Sequence, residues 1–242
     1  MVKQIALVLV LVSTLNVSSF GQSFKTAGPL SSVPLKALSY FEQVEGQQFD
    51  DYLRRIRPVA LAPALRTRVL KMLPKVDMVA PSAQGLAKLK ALDPILRYHQ
   101  RDAVIELKVL RVPTATALFV AGAAVLITES ALEMLTAEEL QAVVAHELGH
   151  EYYWSRFELA RQNHQYSELQ ELELRCDGIA VVTLQHIGVD PENLISAITK
   201  LNRQNERHGS SGSQNYVAFE ERIRFIRLMA DRVRAGNTAR VN

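Results

Sequence analysis

The residues most suited to chemistry lie in the pentad His146-Glu147-Leu148-Gly149-His150. Residues four apart stack on one face of a helix, so His146 and His150 can offer their imidazoles to one metal ion while Glu147 projects beside them. Two neutral histidines leave room for a third protein ligand and a water. Zinc suits this donor set, and the Glu147 carboxylate can take a proton from a water that the metal has acidified. The helix that must carry the pentad is legible upstream. Thr136 followed by Glu139 reads as a capping box, and Leu140, Val143 and Val144 supply an apolar side. Gly149 inside a helix costs about 1 kcal/mol against alanine, which points to close approach of another element near the metal.

A third ligand is then required. In the metzincin pattern, the third and sixth positions after the second histidine are Gly and His, but here they are Tyr153 and Arg156, which excludes that class. The stretch 167–186, SELQELELRCDGIAVVTLQH, is strongly apolar in its second half and reads as a buried helix. Glu173 and Asp177 share a face of it, with Glu171 on another side. Glu173 is assigned as the third ligand. Asp177 is assigned to orient a ligating histidine by accepting its free ring N–H. His164, in a polar Arg-Gln-Asn-His-Gln run typical of a loop, is the rival ligand.

The chain around these residues is large enough to hold them rigidly. Its 242 residues are 48% hydrophobic and 22% charged, which fits one large domain or one domain with an extension. A formal net charge of +3, with Lys and Arg scattered, gives no nucleic-acid footprint. Residues 1–21 read as a signal peptide: Lys3, the apolar run Ile5–Val12, and small residues before Gln22. The alternative is an uncleaved N-terminal anchor. Export to the periplasm or medium is therefore expected. Cys176 is the single cysteine, so no intramolecular disulfide can form.

Residues 22–34 read as a linker, and 35–100 as a helical N-terminal segment punctuated by Pro58, Pro63, Pro74, Pro81 and Pro94. That segment is expected to pack on the catalytic part, with an inhibitory pro-segment as the alternative. From 101 to 242 the chain reads as the metal-binding domain. Ile105, Leu107 and Val109 alternate with polar residues, and Ala117–Val120 and Ala124–Thr128 are two further apolar runs around Gly122. These predict a small antiparallel sheet before the metal helix, with an edge able to bind an extended peptide through its backbone. Glu129–Leu135 reads as a short helix. Beyond the second motif, Gly188 stops a helix, Asp190-Pro191 starts another running to about Arg207, residues 209–213 form a loop, and Val217–Val233 reads as a last helix.

The run Ala145-His146-Glu147-Leu148-Gly149-His150, the apolar strand pair before it and the later Glu171-Leu172-Glu173-Leu174-Arg175-Cys176-Asp177 together resemble the M48 family of zinc metallopeptidases, which includes the CAAX prenyl proteases and the HtpX heat-shock proteases. The resemblance covers about Val104 to Arg227. It implies a gluzincin-type fold and hydrolysis of peptide bonds by a zinc-activated water. It also carries the zinc-ligand role onto Glu173 and pairs it with Asp177. Cys176 replaces the usual alanine of the second motif, a conservative change because a buried thiol behaves as a small apolar group. No membrane span separates His150 from Glu173, so the chain resembles the compact soluble branch. Family members often carry a His-Pro pair six residues before an Arg; Arg222 matches that Arg, and Tyr216 stands where the His would be.

The expectation is thus an α+β fold, mainly helical and gluzincin-like, with a small antiparallel sheet before the metal helix. One Zn2+ is held by His146, His150 and Glu173, with Asp177 behind them and Glu147 as general base. Tyr216 or Arg222 assists in polarising the substrate carbonyl. The substrate is a polypeptide, hydrolysed endoproteolytically, in a role by family analogy in envelope protein quality control. The competing reading is an inactive, metal-stabilised protein of the same fold that binds peptides, against which the intact Glu147 argues. The antibiotic-sensing membrane peptidases share the pentad, but their multiple spans are absent.

Overall fold

The computed structural model of the chain describes residues 30–42, 49–74, 77–208 and 217–238. The expected signal peptide and the loop at 209–213 lie outside them, as does Tyr216. In order the elements are α1 (Ser32–Glu42), α2 (Phe49–Ile56), α3 (Pro63–Met72), β1 (Met78–Val79), α4 (Ala83–Lys90), α5 (Asp93–Tyr98), β2 (Glu106–Leu110), β3 (Ala117–Val120), β4 (Ala124–Thr128), α6 (Glu129–Met134), α7 (Ala137–Gln162), α8 (Tyr166–His186), α9 (Glu192–Arg207) and α10 (Phe219–Thr238). The described chain is mostly helical with one small four-stranded sheet, an α+β arrangement.

Helix α7 starts where its capping box predicts. Thr136 Oγ1 accepts from the Glu139 N–H at 3.1 Å, and Glu139 Oε2 accepts from the Thr136 N–H at 2.8 Å. Glu139 also accepts from Ser196 and Lys200, which fastens α9 to the start of α7. Every residue from Glu139 to Gly149 is buried, so this half of α7 is a central helix rather than a one-sided surface one. The tight turn 163–165 folds α8 back against it, with His164 in the left-handed region at φ 53°. Residues 171–184 of α8 are likewise buried.

The sheet order is β1-β2-β4-β3. It is mixed, which corrects the expected antiparallel sheet: β3 pairs antiparallel with β4, but β2 pairs parallel with β4. The connection 111–116 carries the chain past one strand position, and β4 turns back into that slot. Because every β4 residue is buried, it takes the central place and β3 is left at the edge. Alternation along a strand records which side chains face the core, not which strand lies alongside. The short edge strand β1 has too few residues to carry a periodic signal.

Ala117, Phe119, Val125 and Ile127 face the helices and join the main core. Val120, Ala124 and Leu126 face away and form a smaller cluster with Leu73 and Leu110, against which Val69 and Leu70 of α3 pack. The N-terminal helices belong to the same body. The Phe41 ring fills a notch that only a glycine at 178 leaves open, and Ser31 donates twice to Glu221 of α10. Helix α1 begins at Ser32, inside the stretch read as linker. The punctuation expected at Pro94 separates two helices, α4 and α5, because proline favours the first turn of a helix over its interior. No helix of the described residues is long and apolar enough to cross a membrane.

Candidate metal centre

The centre forms where α7 crosses α8, and Gly149 sets how closely they meet. A Cβ at 149 would lie 2.8 Å from Cys176 Cα and 2.9 Å from its Cβ, so only glycine admits this approach. That is the neighbouring element anticipated from the helical glycine. The crossing brings His146 and His150 from one helix against Glu173 and Asp177 from the other.

His146 Nδ1 lies 2.8 Å from Asp177 Oδ1, while its Nε2 lies 3.3 Å from Glu173 Oε2. Asp177 therefore holds the ring so that Nε2 is the nitrogen presented to the site. Glu173 Oε2 is buried and has no hydrogen-bond partner. Two ligand atoms held at about 2.0–2.1 Å in tetrahedral array are separated by roughly 3.3–3.4 Å, which is the spacing found here. His150 has Cys176 Sγ 3.7 Å from its Nδ1, and the Phe157 ring packs on its edge with centroids 4.6 Å apart. Its Nε2 remains for the site.

The Glu147 carboxylate also reaches the centre. Atoms of His146, Glu147 and His150 that can bind a metal lie within 4.8 Å of one another. The two glutamates are not equivalent, however. Glu147 Oε2 accepts a hydrogen bond from the backbone N–H of Phe119 in edge strand β3, at 2.8 Å, whereas Glu173 Oε2 has none. An orphaned oxygen suits a ligand, and a tethered carboxylate suits a base.

Charge points the same way. Three buried carboxyls, Glu147, Glu173 and Asp177, face one guanidinium, that of Arg222. Burial alone would lower the His146 pKa, but Asp177 and Glu173 outweigh it and raise it to about 10. Burial pushes the Glu147 carboxyl up to about 7, against the pull of His146 and the Phe119 N–H. Burial lowers His150 to about 4. For Glu173 burial is outweighed by the two histidines, and its pKa falls. Such a cluster draws a cation, and two imidazoles with one carboxylate are a donor set that zinc accepts while keeping a position open.

Arg222 occupies a place the sequence reading did not foresee. Its Nε donates to Asp177 Oδ2 at 2.7 Å and its Nη2 to Oδ1 at 2.8 Å. Nη2 comes within 3.5 Å of His146 Nδ1, on the opposite side of the ring from Nε2. It thus stands behind Asp177, against the side of the His146 ring that faces away from Nε2. For Asp177 burial is outweighed by Arg222 and His146, which hold its carboxyl at about 2. His164, the rival ligand, is exposed in the α7–α8 turn, at the end of roughly 18 Å of helix beyond His150. Tyr216 lies outside the described residues. The Phe119 N–H was missed because a backbone donor leaves no mark in residue types.

Residues 97–154 match the model of Peptidase family M48. That segment contains the edge strand, the capping box and the histidine pentad. None of the curated proteins matches the chain.

Proposed function

We propose that this chain, an M48 family metallopeptidase by its match over residues 97–154, is an exported zinc-dependent endopeptidase with Glu147 as general base. The observation that carries the reading is the division of labour between two buried glutamates: Glu173 holds an oxygen that accepts no hydrogen bond 3.3 Å from His146 Nε2, and Glu147 is tied to the substrate-side strand. His146, His150 and Glu173 would hold the zinc. Bound there, zinc would acidify a water and polarise the scissile carbonyl.

The chain's own residues supply the rest. Asp177, braced by Arg222, keeps the His146 ring in one orientation and one tautomer. Phe119 fixes one Glu147 oxygen and leaves the other to take the proton of the attacking water and pass it to the leaving amine. Burial favours the protonated carboxyl, which helps Glu147 to act as acid once it has acted as base. Among the described residues no strand pairs with the outer edge of β3, which runs past Glu147 and offers backbone groups to an extended polypeptide, a mode of binding that reads shape more than sequence. This fits an unfolded substrate, and with the signal-like residues 1–21 it supports a role in clearing misfolded envelope proteins.

The test is digestion of an unfolded protein by the purified zinc-loaded chain beside Glu147→Gln at equal zinc content. Cleavage by the wild type, reduced at least about 100-fold in the variant, is expected. Equal cleavage by both would remove Glu147 from the mechanism. Binding of zinc and peptide without cleavage would favour the inactive peptide-binding reading. Cell fractionation of the tagged chain, with and without residues 1–21, tests export: the full chain is expected outside the cytoplasm and the shortened one inside.

A further inference from the structure

We infer that Asn205, at the end of α9, closes one end of the peptide-binding edge and so limits how much of a substrate is held in strand form. The inference rests on the edge-strand reading above and adds a residue that sets its length.

The direction of each backbone group along β3 follows from three observations. Thr128 N–H donates to Thr116 C=O at 2.9 Å, and these residues are opposite each other in the register, so the groups of 116, 118 and 120 point into the sheet toward β4. The groups of 115, 117, 119 and 121 must then point outward. Phe119 agrees, since its N–H reaches out to Glu147. Ala115 agrees as well, because both of its groups are taken by one side chain from outside the sheet: its N–H donates to Asn205 Oδ1 at 2.8 Å, and Asn205 Nδ2 donates to its C=O at 2.9 Å.

That pair of bonds is the one a neighbouring strand residue would make with Ala115. The Asn205 amide therefore fills the next position along the line a bound peptide would follow. Ala115 is fully buried beneath it. At the other end the strand is finished by the turn at Ala121–Ala123, where Ala121 and Gly122 both have positive φ. What remains for an extended peptide is the edge from Ala117 to Ala121, on which the Phe119 N–H is already held by Glu147. At about 3.3 Å per residue this is roughly 13 Å, enough to pair with about four or five substrate residues. Helix α9 is itself held in place through Ser196 and Lys200 on Glu139 of α7, so the stop is rigidly tied to the helix that carries the histidines.

The test measures peptide length dependence rather than activity alone. Fluorescent unstructured peptides, lengthened one residue at a time from either end, are titrated by anisotropy into the zinc-loaded Glu147→Gln chain, with and without Asn205→Ala. Affinity for the chain bearing Asn205 is expected to level off once about five residues are present. With Asn205→Ala, further residues added at one end only should each gain roughly two- to tenfold, as the freed Ala115 groups pair with them. A general loss of packing would shift all lengths alike and leave the plateau where it was. The inference is overturned if affinity for the Asn205 chain keeps climbing past the plateau length, or if Asn205→Ala gains nothing at either end. If peptides bind with this length dependence but zinc-loaded wild type never cuts them, the peptidase reading fails while the groove stop stands; if no peptide binds, the groove stop fails.

Discussion

At the scale of single residues, the centre depends on groups that stand behind its histidines. Asp177 is fully buried, accepts from His146, and is itself neutralised by the two-pronged contact of Arg222. Lysine cannot reproduce that fork, because a single ammonium replaces two parallel N–H donors. We predict that Arg222→Lys weakens zinc binding about 10- to 100-fold, read by competition with a chelating dye, because His146 loses its fixed orientation. If Arg222 instead acted on the substrate, zinc affinity would stay unchanged and turnover alone would fall. Cys176 behaves differently from a reactive thiol: burial pushes its pKa well up, and its Sγ meets the outer nitrogen of His150.

At the scale of elements, the decisive feature is how closely two helices approach. The α7–α8 crossing at Gly149 leaves no space for a methyl group, since the nearest obstacle is backbone of α8 that cannot swing aside. Gly149→Ala should therefore gain helix propensity and still destabilise the protein, by about 1–3 kcal/mol, as overpacking outweighs the propensity gain. Urea unfolding would show it, and a stabilised variant would contradict the crossing geometry. The same change should lower zinc affinity by moving His150 away from Glu173. A second joint ties the approach to β2 to α7: Arg101 Nε lies 3.0 and 2.8 Å from the two oxygens of Glu151, with Arg101 buried and Glu151 partly so. Removing one partner of such a pair strands the other charge, which typically costs 3–5 kcal/mol.

At the scale of the whole molecule, the N-terminal helices share one core with α7 and α8, and this core shapes the response to acid. His99 is buried between the Tyr152 hydroxyl at 2.9 Å and Thr183 Oγ1 at 3.0 Å. Burial, reinforced by Arg57 and Arg101, lowers its pKa to about 3. The unfolded chain, with an ordinary histidine near 6.5, then binds a proton that the folded chain refuses. The stability tied to neutral His99 is complete above about pH 6.5 and is lost as the pH falls toward about 3. Between pH 7 and 5 the loss should be about 2 kcal/mol. Denaturant unfolding of the wild type and His99→Gln at the two values would expose it as a change in their difference. A difference that does not vary with pH would mean His99 is protonated in the folded state.

The sequence by itself determined the centre's vocabulary. The pentad, its capping box and the Glu173–Asp177 pair are local patterns with periods of three and four residues. The helix that forms around them keeps those spacings whatever lies nearby. The two strands at 117–120 and 124–128 were legible for the same reason. Only the tertiary structure decided which strand lies beside which, because periodicity encodes faces and is silent about neighbours. It also decided that Glu173, rather than the exposed His164, stands 3.3 Å from His146. It placed Arg222 against Asp177 as well, because a long side chain's partner depends on where its helix docks. Asn205 carried no sequence signal at all. Its role exists only where the end of one helix meets the outward backbone groups of a strand that lies far from it along the chain.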